Sequence, residues 1–228
     1  RKIVESIEWV NTLKDDENIG KTAEKGKSNF VGPEIEGKRL GVIGLGAIGV
    51  LVANAANKLG MEVYGYDPFM SVNSAWALSK HVRKAKDMDE IFKTCDYITV
   101  HVPSTKDTKG MLNKEKFALM KDGARLLNFA RGDLVVNEDL LEAVESGKLS
   151  KYITDFAAQE FIGKDNIIVL PHLGASTPES EDNCARMAVQ ELKDFLENGN
   201  IKNSVNFPAV NQSRESKVRL CITNKNMP

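Results

Sequence analysis

Cysteine is scarce in this sequence of 228 residues, which contains only Cys95, Cys184 and Cys221. An odd number of widely spaced cysteines excludes a disulfide framework, and the lack of any CxxC pair gives no sign of a zinc site. We therefore expect no metal. The same scarcity favours a reducing compartment, which we take to be the cytoplasm.

Long hydrophobic runs are also absent. The most apolar region, from Leu40 to Ala53, is interrupted by four glycines and is shorter than the roughly 20 residues that a bilayer span requires. No signal peptide follows the opening Arg1-Lys2 pair, and the chain does not begin with methionine. We therefore expect no membrane partner, and we interpret the chain as a fragment of a longer protein.

An excess of either charge is missing as well. The 31 lysines and arginines nearly balance the 32 aspartates and glutamates, which gives a formal net charge of −1. Nucleic-acid binding needs a basic face, so this balance removes the main electrostatic reason to expect a nucleic-acid partner. Hydrophobic residues make up 42% of the chain and charged residues 28%, proportions that fit a globular protein rather than a disordered one.

The chain does contain a regular alternation of short apolar strands and helices. Strands are predicted at residues 39–43, 62–66, 97–102, 125–129, 152–154 and 167–170, and helices at 3–13, 47–59, 114–120, 138–146 and 178–197. Gly147 and Gly199 are expected to end the last two helices. The stretch 18–37 is interpreted as an irregular loop, residues 67–89 are poorly defined, and a last strand is predicted at 218–223. Such an alternation predicts an α/β fold with a doubly wound parallel sheet.

The first predicted strand leads directly into Gly44-Leu45-Gly46-Ala47-Ile48-Gly49, a G-x-G-x-x-G motif, and then into a helix. In this motif Gly44 permits a tight turn, Gly46 lets the backbone approach a pyrophosphate, and Gly49 lets helix and strand pack closely. The free N–H groups and partial positive charge at the helix N-terminus favour the anion. The motif therefore predicts a Rossmann-type dinucleotide site. The alternative is a glycine-rich turn that packs a helix on the sheet without a ligand.

An acid, Asp67, stands at the end of the next predicted strand, 18 positions past the last glycine, close to the roughly 20 that is typical of this motif. That spacing suits a carboxylate that accepts hydrogen bonds from the adenosine ribose hydroxyls. Asp67 would repel a 2′-phosphate, and no arginine follows it closely. The expected cofactor is therefore NAD rather than NADP.

Three later segments carry candidate chemistry near the ends of predicted strands, where ligands sit in this class of sheet. Arg131 offers a planar fork to a substrate carboxylate, and the alternative is a surface arginine in a turn. Asp155 and Glu160 are candidate acids, or else merely solvated loop residues. His172 can titrate near neutral pH, although a lone histidine can also be structural. His101 is interpreted as scaffold near the cofactor.

Several of these segments together resemble the NAD-dependent D-2-hydroxyacid dehydrogenase family: GLGAIG followed by Asp67, then NFARGDLVVNEDLL, then PHLGAST. HVPST is also similar to the family's loop after a mid-sheet strand. G-x-G-x-x-G is shared by many dehydrogenases, whereas the ARG and PH-x-G-A-S-T segments are specific to this family. The resemblance covers essentially the whole chain. It implies a Rossmann-type nucleotide-binding domain with part of a second, substrate domain.

The resemblance also implies roles for individual residues. Arg131 matches the arginine that binds the substrate carboxylate and polarises the reacting oxygen, and His172 matches the catalytic acid/base. Glu160 matches the acidic partner of that histidine, and Asp155 matches an acid that contacts the nicotinamide carboxamide. The glycine motif and the resemblance together place these residues at the cofactor: Gly44, Gly46, Ala47, Ile48, Gly49, Asp67, Val102, Pro103, Ala130, Arg131, Asp155, His172 and Gly174.

The sequence departs from the family's pattern in two places. The usual D-V-F-x-x-E-P reads Asp155-Phe156-Ala157-Ala158-Gln159-Glu160-Phe161, so the loop around Glu160 is altered while its spacing from Asp155 is kept. The more frequent aspartate after the VV pair is Asn137 here, which we expect to cap the following helix.

The resemblance further implies an NAD-binding domain at 1–175, a return helix and tail of an incomplete substrate domain at 176–208, and a linker with the truncated start of an ACT regulatory domain at 209–228. The implied reaction is oxidation of 3-phospho-D-glycerate to 3-phosphohydroxypyruvate in serine biosynthesis, with poor activity of the fragment alone. The alternatives are a dehydrogenase for glycerate, lactate or another D-2-hydroxy acid, or an NAD-sensing, corepressor-like scaffold. A homodimer or higher homo-oligomer, formed through the first helix and the following stretch, is the expected assembly.

Overall fold

A computed structural model describes residues 2–222. The chain forms two compact units, the first ending at His172 and the second beginning at Leu173. The regulatory segment expected at 209–228 therefore lies partly outside the described residues, at 223–228.

The first unit is built around a seven-stranded parallel sheet. Its strands are β1 (Arg39–Ile43), β2 (Glu62–Tyr66), β3 (Arg83–Lys84), β4 (Tyr97–Val100), β5 (Ala124–Asn128), β6 (Leu149–Thr154) and β7 (Ile167–Val169). They lie in the order β3-β2-β1-β4-β5-β6-β7, and every neighbouring pair is parallel. The predicted parallel sheet is thereby confirmed, and the strand order reverses between β1 and β4.

Helices connect the strands and continue beyond the sheet. They are α1 (Ile3–Asn11), α2 (Ile19–Gly26), α3 (Ala47–Lys58), α4 (Val72–Ala77), α5 (Met88–Thr94), α6 (Lys114–Leu119), α7 (Asn137–Glu145) and α8 (Pro178–Asn198). Short 3-10 turns occur at Lys27–Phe30, Gly132–Leu134 and Gln159–Phe161. The predicted helices are present, with ends within two residues of those expected.

The two faces of the sheet bury separate apolar clusters. On one face, Leu40 and Val42 of β1 pack with α3, where Ala53 is fully buried. On the other face, Ile43 packs with residues of α5, α6 and α7. Gly41 allows α5 to approach closely, since a Cβ there would lie 2.2 Å from Ile91 Cγ2. Successive residues of β1 therefore serve opposite faces, which makes the sheet doubly wound.

Three local predictions were wrong or incomplete. The expected loop at 18–37 contains α2 and a 3-10 turn, because a small cluster forms there: the Trp9 and Phe30 rings pack in a tilted arrangement with centroids 5.3 Å apart. The poorly defined stretch at 67–89 contains α4 and β3 and the start of α5. Residues 218–222 form no strand, and residue 223 lies outside the described part.

The second unit is organised by α8. The Thr177 side chain accepts a hydrogen bond from Ser180 N, and Pro178 occupies the first turn. Gly199 ends the helix with φ of 70°, as predicted. Ile201 and Val210 then exchange two backbone hydrogen bonds. In the part of the chain that the structure describes, no helix combines the length and apolar character needed to cross a membrane.

Candidate functional site

The glycine turn between β1 and α3 is sterically required. Gly44 has φ of 90°, and a Cβ on it would lie 2.5 Å from the carbonyl oxygen of His101. A Cβ on Gly49 would lie 1.9 Å from the carbonyl oxygen of Gly44. Larger residues would therefore force the turn, the end of β4 and the first turn of α3 apart.

Gly46 faces open space instead. Nothing lies within 4 Å of the position that its Cβ would occupy. Among the described residues no side chain caps the first turn of α3, which begins at Ala47 and continues through the exposed Ile48. Its N–H donors and dipole are thus available to an anion, and the turn fits a dinucleotide pyrophosphate.

Asp67 ties the end of β2 to this turn. Its Oδ2 accepts a hydrogen bond of 2.8 Å from Leu45 N, and its Oδ1 accepts one of 2.8 Å from Phe69 N. A cavity of about 450 Å³ opens beside it and is also lined by Tyr66 and Val82. The position of Asp67 beside a cavity fits the adenosine half of the cofactor.

The end of β4 closes the other side of the turn. Val102 Cγ1 would lie 2.9 Å from a Cβ on Gly44, and Pro103 follows directly in the chain. The half-buried His101 places Nε2 3.0 Å from Thr99 Oγ1, and burial lowers the pKa of His101. These residues border the crevice at the reversal of strand order, where doubly wound sheets bind ligands.

Arg131 lies in the loop that follows β5. The buried Asn128 shapes this loop, since its Oδ1 accepts a hydrogen bond from Ala130 N at 3.1 Å and its Nδ2 donates to Arg131 O at 2.8 Å. The Arg131 side chain is exposed and donates from Nη1 to Ala130 O at 2.6 Å. No carboxylate of the described residues lies within ion-pair distance of it, so its remaining donors can bind an anion.

Asp155 and His172 form a direct pair. His172 Nδ1 lies 2.9 Å from Asp155 Oδ2, and the Phe156 ring packs against the imidazole at 5.4 Å. The Asp155 side chain is 11% exposed and the His172 side chain 64% exposed. Asp155 Oδ1 is buried and has no hydrogen-bond partner among the described residues. The carboxylate is thus oriented from within the fold, while the imidazole is open to solvent.

Glu160 is not brought to His172 in this structure. Its Oε1 accepts a hydrogen bond of 2.8 Å from Asn137 Nδ2. A hydrogen bond with its own backbone N–H, together with the Asn137 contact, lowers the pKa of Glu160. The physical reason is placement: Asp155 directly follows β6, whereas Glu160 lies in a 3-10 turn beside the start of α7. In this structure the carboxylate that contacts His172 is therefore Asp155, and the role expected of Glu160 stays a prediction.

The expectation for Asn137 was also wrong. Asn137 is the first residue of α7 rather than its cap, and the preceding Val136 makes no side-chain capping hydrogen bond. The amide is used instead to bind Glu160.

The arginine loop and the Asp155–His172 pair lie at the same end of the sheet. They follow β5, β6 and β7, which are adjacent and parallel. A Cβ on Gly132, the residue after Arg131, would lie 3.2 Å from Phe156 Cβ. Phe156 in turn packs on His172. Gly174 belongs to the second unit, where nothing lies within 4 Å of the position of its Cβ.

Sequence reasoning missed three buried polar side chains below these loops: Asn128, Tyr152 and Thr154. The available signal, for Asn128 and Thr154, was a polar residue at the last position of a strand, because such a group needs a partner when it is buried.

The sequence profile described as "D-isomer specific 2-hydroxyacid dehydrogenase, NAD binding domain" matches residues 3–174. The chain belongs to this family. The expected family, the fold class and NAD as cofactor are thereby confirmed. The chain is 36% identical over 205 residues to D-3-phosphoglycerate dehydrogenase of Bacillus subtilis, covering 87% of this chain and 38% of that protein. It is 35% identical over 192 residues to the human protein of the same name, covering 81% and 35%.

Solved structures give the same picture. The NAD⁺-bound 3-phosphoglycerate dehydrogenase of Entamoeba histolytica matches with a TM-score of 0.67 and 32% identity, over 78% of this chain and 57% of that one. The apo D-mandelate dehydrogenase of Rhodotorula graminis matches with a TM-score of 0.70 and 27% identity, over 85% and 57%. The chain spans less than two fifths of the length of the D-3-phosphoglycerate dehydrogenases that it matches in sequence.

Proposed function

We propose that this chain is part of an enzyme that oxidises 3-phospho-D-glycerate to 3-phosphohydroxypyruvate with NAD, a reaction of serine biosynthesis. The relatives named D-3-phosphoglycerate dehydrogenase support this substrate. The observation that carries the proposal is an exposed Arg131 and an Asp155–His172 pair at one end of the sheet, the end that also carries the glycine turn.

His172 is the proposed acid/base. Its Nδ1 is held by Asp155, so Nε2 is the nitrogen left to accept the proton of the substrate hydroxyl. The carboxylate keeps the ring oriented and stabilises the imidazolium that forms. NAD, when bound, supplies the acceptor for the hydride that leaves the same carbon. Asp155 and the nicotinamide carboxamide also remain a proposed contact, for which the buried, unpaired Oδ1 is a free acceptor.

Arg131 is the proposed carboxylate binder. Its guanidinium is exposed and unpaired by any acid of the described residues, and a planar fork can bind a carboxylate through two parallel hydrogen bonds. Anchoring the carboxylate there would orient the reacting carbon toward the cofactor and the histidine.

The test is an assay of the native full-length protein with NAD and a panel of D-2-hydroxy acids, followed by NADH absorbance. We expect 3-phosphoglycerate to give the highest kcat/KM. Preference for glycerate or lactate would replace the proposed substrate by the sister activity. NADH binding without turnover of any acid would favour an NAD-sensing scaffold instead.

We also propose that the chain forms a homodimer through α1. This helix exposes Ile3, Val4, Ile7 and Val10 and has no buried residue among those described. Light scattering should give twice the monomer mass, and Ile7→Glu should give the monomer. A wild-type monomer would contradict this assembly.

We further propose a cytoplasmic location. All three cysteines are unpaired, two of them exposed, which suits a reducing compartment. Cell fractionation would test this.

A further inference from the structure

Three polar side chains are buried directly beneath the loops that carry the proposed chemistry. Asn128, at the end of β5, and Thr154 and Tyr152, in β6, each expose 1% or less of their surface. Burying a polar group costs free energy unless a hydrogen bond replaces the lost water. The hydrogen-bond partners of these three side chains therefore identify the segments that they stabilise.

Asn128 fixes the arginine loop from below. Its side chain binds the backbone on both sides of the Ala130–Arg131 peptide, as described above, and the same Nδ2 lies 3.4 Å from Tyr152 Oη. The amide thus connects the backbone of the arginine loop to the phenol of the neighbouring strand.

Thr154 fixes the other loop. Its Oγ1 accepts a hydrogen bond of 3.1 Å from Phe156 N, the residue that follows Asp155 and packs on His172. Burial raises the pKa of Tyr152, while hydrogen bonding with Thr154 and Asn128 acts in the opposite direction and the charge of Asp155 raises it further. The phenol is therefore neutral near pH 7 and lies between the two strand ends.

We propose that Asn128 and Tyr152, joined by the contact between Nδ2 and Oη, act with Thr154, which holds the backbone after Asp155, as a buried bridge that sets the position of Arg131 relative to the Asp155–His172 pair. They are positioning residues, since all three side chains are buried beneath the loops that carry Arg131 and Asp155. This inference rests on the proposed function, in which Arg131 and His172 bind the same hydroxy acid. Small displacements of such groups cost reactivity even when the fold is retained.

The test compares Tyr152→Phe with the wild type in the native full-length protein. The change removes one hydroxyl and keeps the ring that packs on Phe161. We expect KM for the hydroxy acid to rise about tenfold while KM for NAD stays within twofold, because Arg131 moves and the glycine turn does not. Tyr97→Phe in β4 is the matched control and should change neither constant.

A second pair of variants guards against a folding defect. Thr154→Val loses the hydroxyl at similar volume and should raise KM for the hydroxy acid, whereas Thr154→Ser keeps the hydroxyl and should restore the wild-type value. If Tyr152 and Thr154 had only a structural role, Tyr152→Phe and Thr154→Val would lower the thermal midpoint and the active fraction but leave KM for the hydroxy acid unchanged. That result would overturn the inference.

The proposed function and the proposed bridge are contradicted by different results. Absence of hydroxy-acid oxidation in the wild type would contradict the proposed function itself. A wild type that is active, together with Tyr152→Phe and Thr154→Val variants of unchanged KM, would leave that function intact and eliminate the bridge.

Discussion

His172 is held at one ring nitrogen by a carboxylate that reaches it from inside the fold. At the residue scale, this contact at Nδ1 leaves Nε2 as the nitrogen available for the proposed acid/base chemistry. Asp155 has little exposed surface and a buried Oδ1, and its Oδ2 contacts the imidazole. Glu160 is exposed and hydrogen-bonded to Asn137 instead.

Asp155→Asn and Glu160→Gln therefore should behave differently in the full-length protein. We expect Asp155→Asn to lower kcat by about 10²-fold, approaching the roughly 10²–10⁴-fold loss expected for His172→Ala, because the imidazolium loses its counter-charge. Glu160→Gln should change kcat by less than about threefold on the same reasoning. Steady-state kinetics, with NADH affinity measured separately by fluorescence, would check this. A strong loss of kcat in Glu160→Gln, together with a nearly wild-type kcat in Asp155→Asn, would show that Glu160 is the acidic partner of His172.

His101 gives a second residue-scale prediction. Burial lowers the pKa of His101, so the folded state favours its neutral ring. The associated stability is fully present above the unfolded pKa of about 6.5 and is lost as the pH falls below that value toward the folded pKa. Urea unfolding should show a lower midpoint at about pH 5.5 than at about pH 7.5, and His101→Gln should reduce this difference. Carboxylates with a lowered pKa, such as Asp89 beside Lys116, titrate below this range. An equal pH dependence in both proteins would contradict the assignment.

At the element scale, strand β1, the glycine turn and α3 follow one another directly, and the second and third glycines of the motif have different surroundings. Gly49 touches the backbone of Gly44, so it determines how closely helix and strand pack. Gly46 touches nothing, so its missing side chain leaves room for a ligand.

Alanine at these two positions should separate folding from binding. Gly49→Ala places a Cβ 1.9 Å from a carbonyl oxygen, so we expect a lower thermal midpoint together with loss of NADH binding. Gly46→Ala should nearly keep the wild-type midpoint, since the N-cap change costs about 1 kcal/mol or less, and should weaken NADH at least tenfold. Differential scanning fluorimetry and fluorescence titration would measure the two effects. Unchanged NADH affinity of Gly46→Ala would contradict binding of the pyrophosphate at this turn.

At the scale of the whole molecule, the parallel sheet collects distant segments at one edge. The residues after β1, β2, β4, β5, β6 and β7 all meet at the carboxyl ends of the strands. These ends carry Gly44, Asp67, His101, Arg131 and Asp155, while His172 follows β7. The proposed cofactor residues and substrate residues are therefore assembled by topology rather than by proximity in sequence.

The chain covers 38% of the length of its Bacillus relative, and this coverage leads to a prediction for the isolated 228 residues. They should bind NADH with a Kd of about 1 µM to 1 mM, the ordinary range of enzyme KM values, because the glycine turn and Asp67 are present. They should oxidise 3-phosphoglycerate at least about 10²-fold more slowly than the full-length protein, since a site lacking positioning contacts loses that order of rate. Fluorescence titration and an NADH assay would measure both. Turnover at the full-length rate would show that these residues are sufficient.

Much of the fold and part of the site could be predicted from sequence because the deciding interactions are local. Strand β1, the glycine turn and α3 are contiguous, and each glycine acts on residues a few positions away or on the next strand. The missed elements were those held by contacts across the chain. Helix α2 lies beside the Trp9–Phe30 pair, and the two-residue strand β3 exists only by pairing with β2.

The roles carried over from the family stay predictions for Arg131 and His172, whose positions at one sheet end agree with them. For the acid, family spacing and tertiary structure disagree. Asp155 and Glu160 keep the expected separation along the chain, but an altered loop turns Glu160 toward Asn137.

The sequence by itself determined the alternation of strands and helices, the phosphate-binding turn and the ends of α8, because apolar period, glycine and caps act within one or two turns of chain. Only the tertiary structure decided which carboxylate contacts His172 and that Asn128 meets Tyr152. Those partners come from different strands, and which of them meet depends on sheet register and loop packing, which no short stretch of sequence specifies.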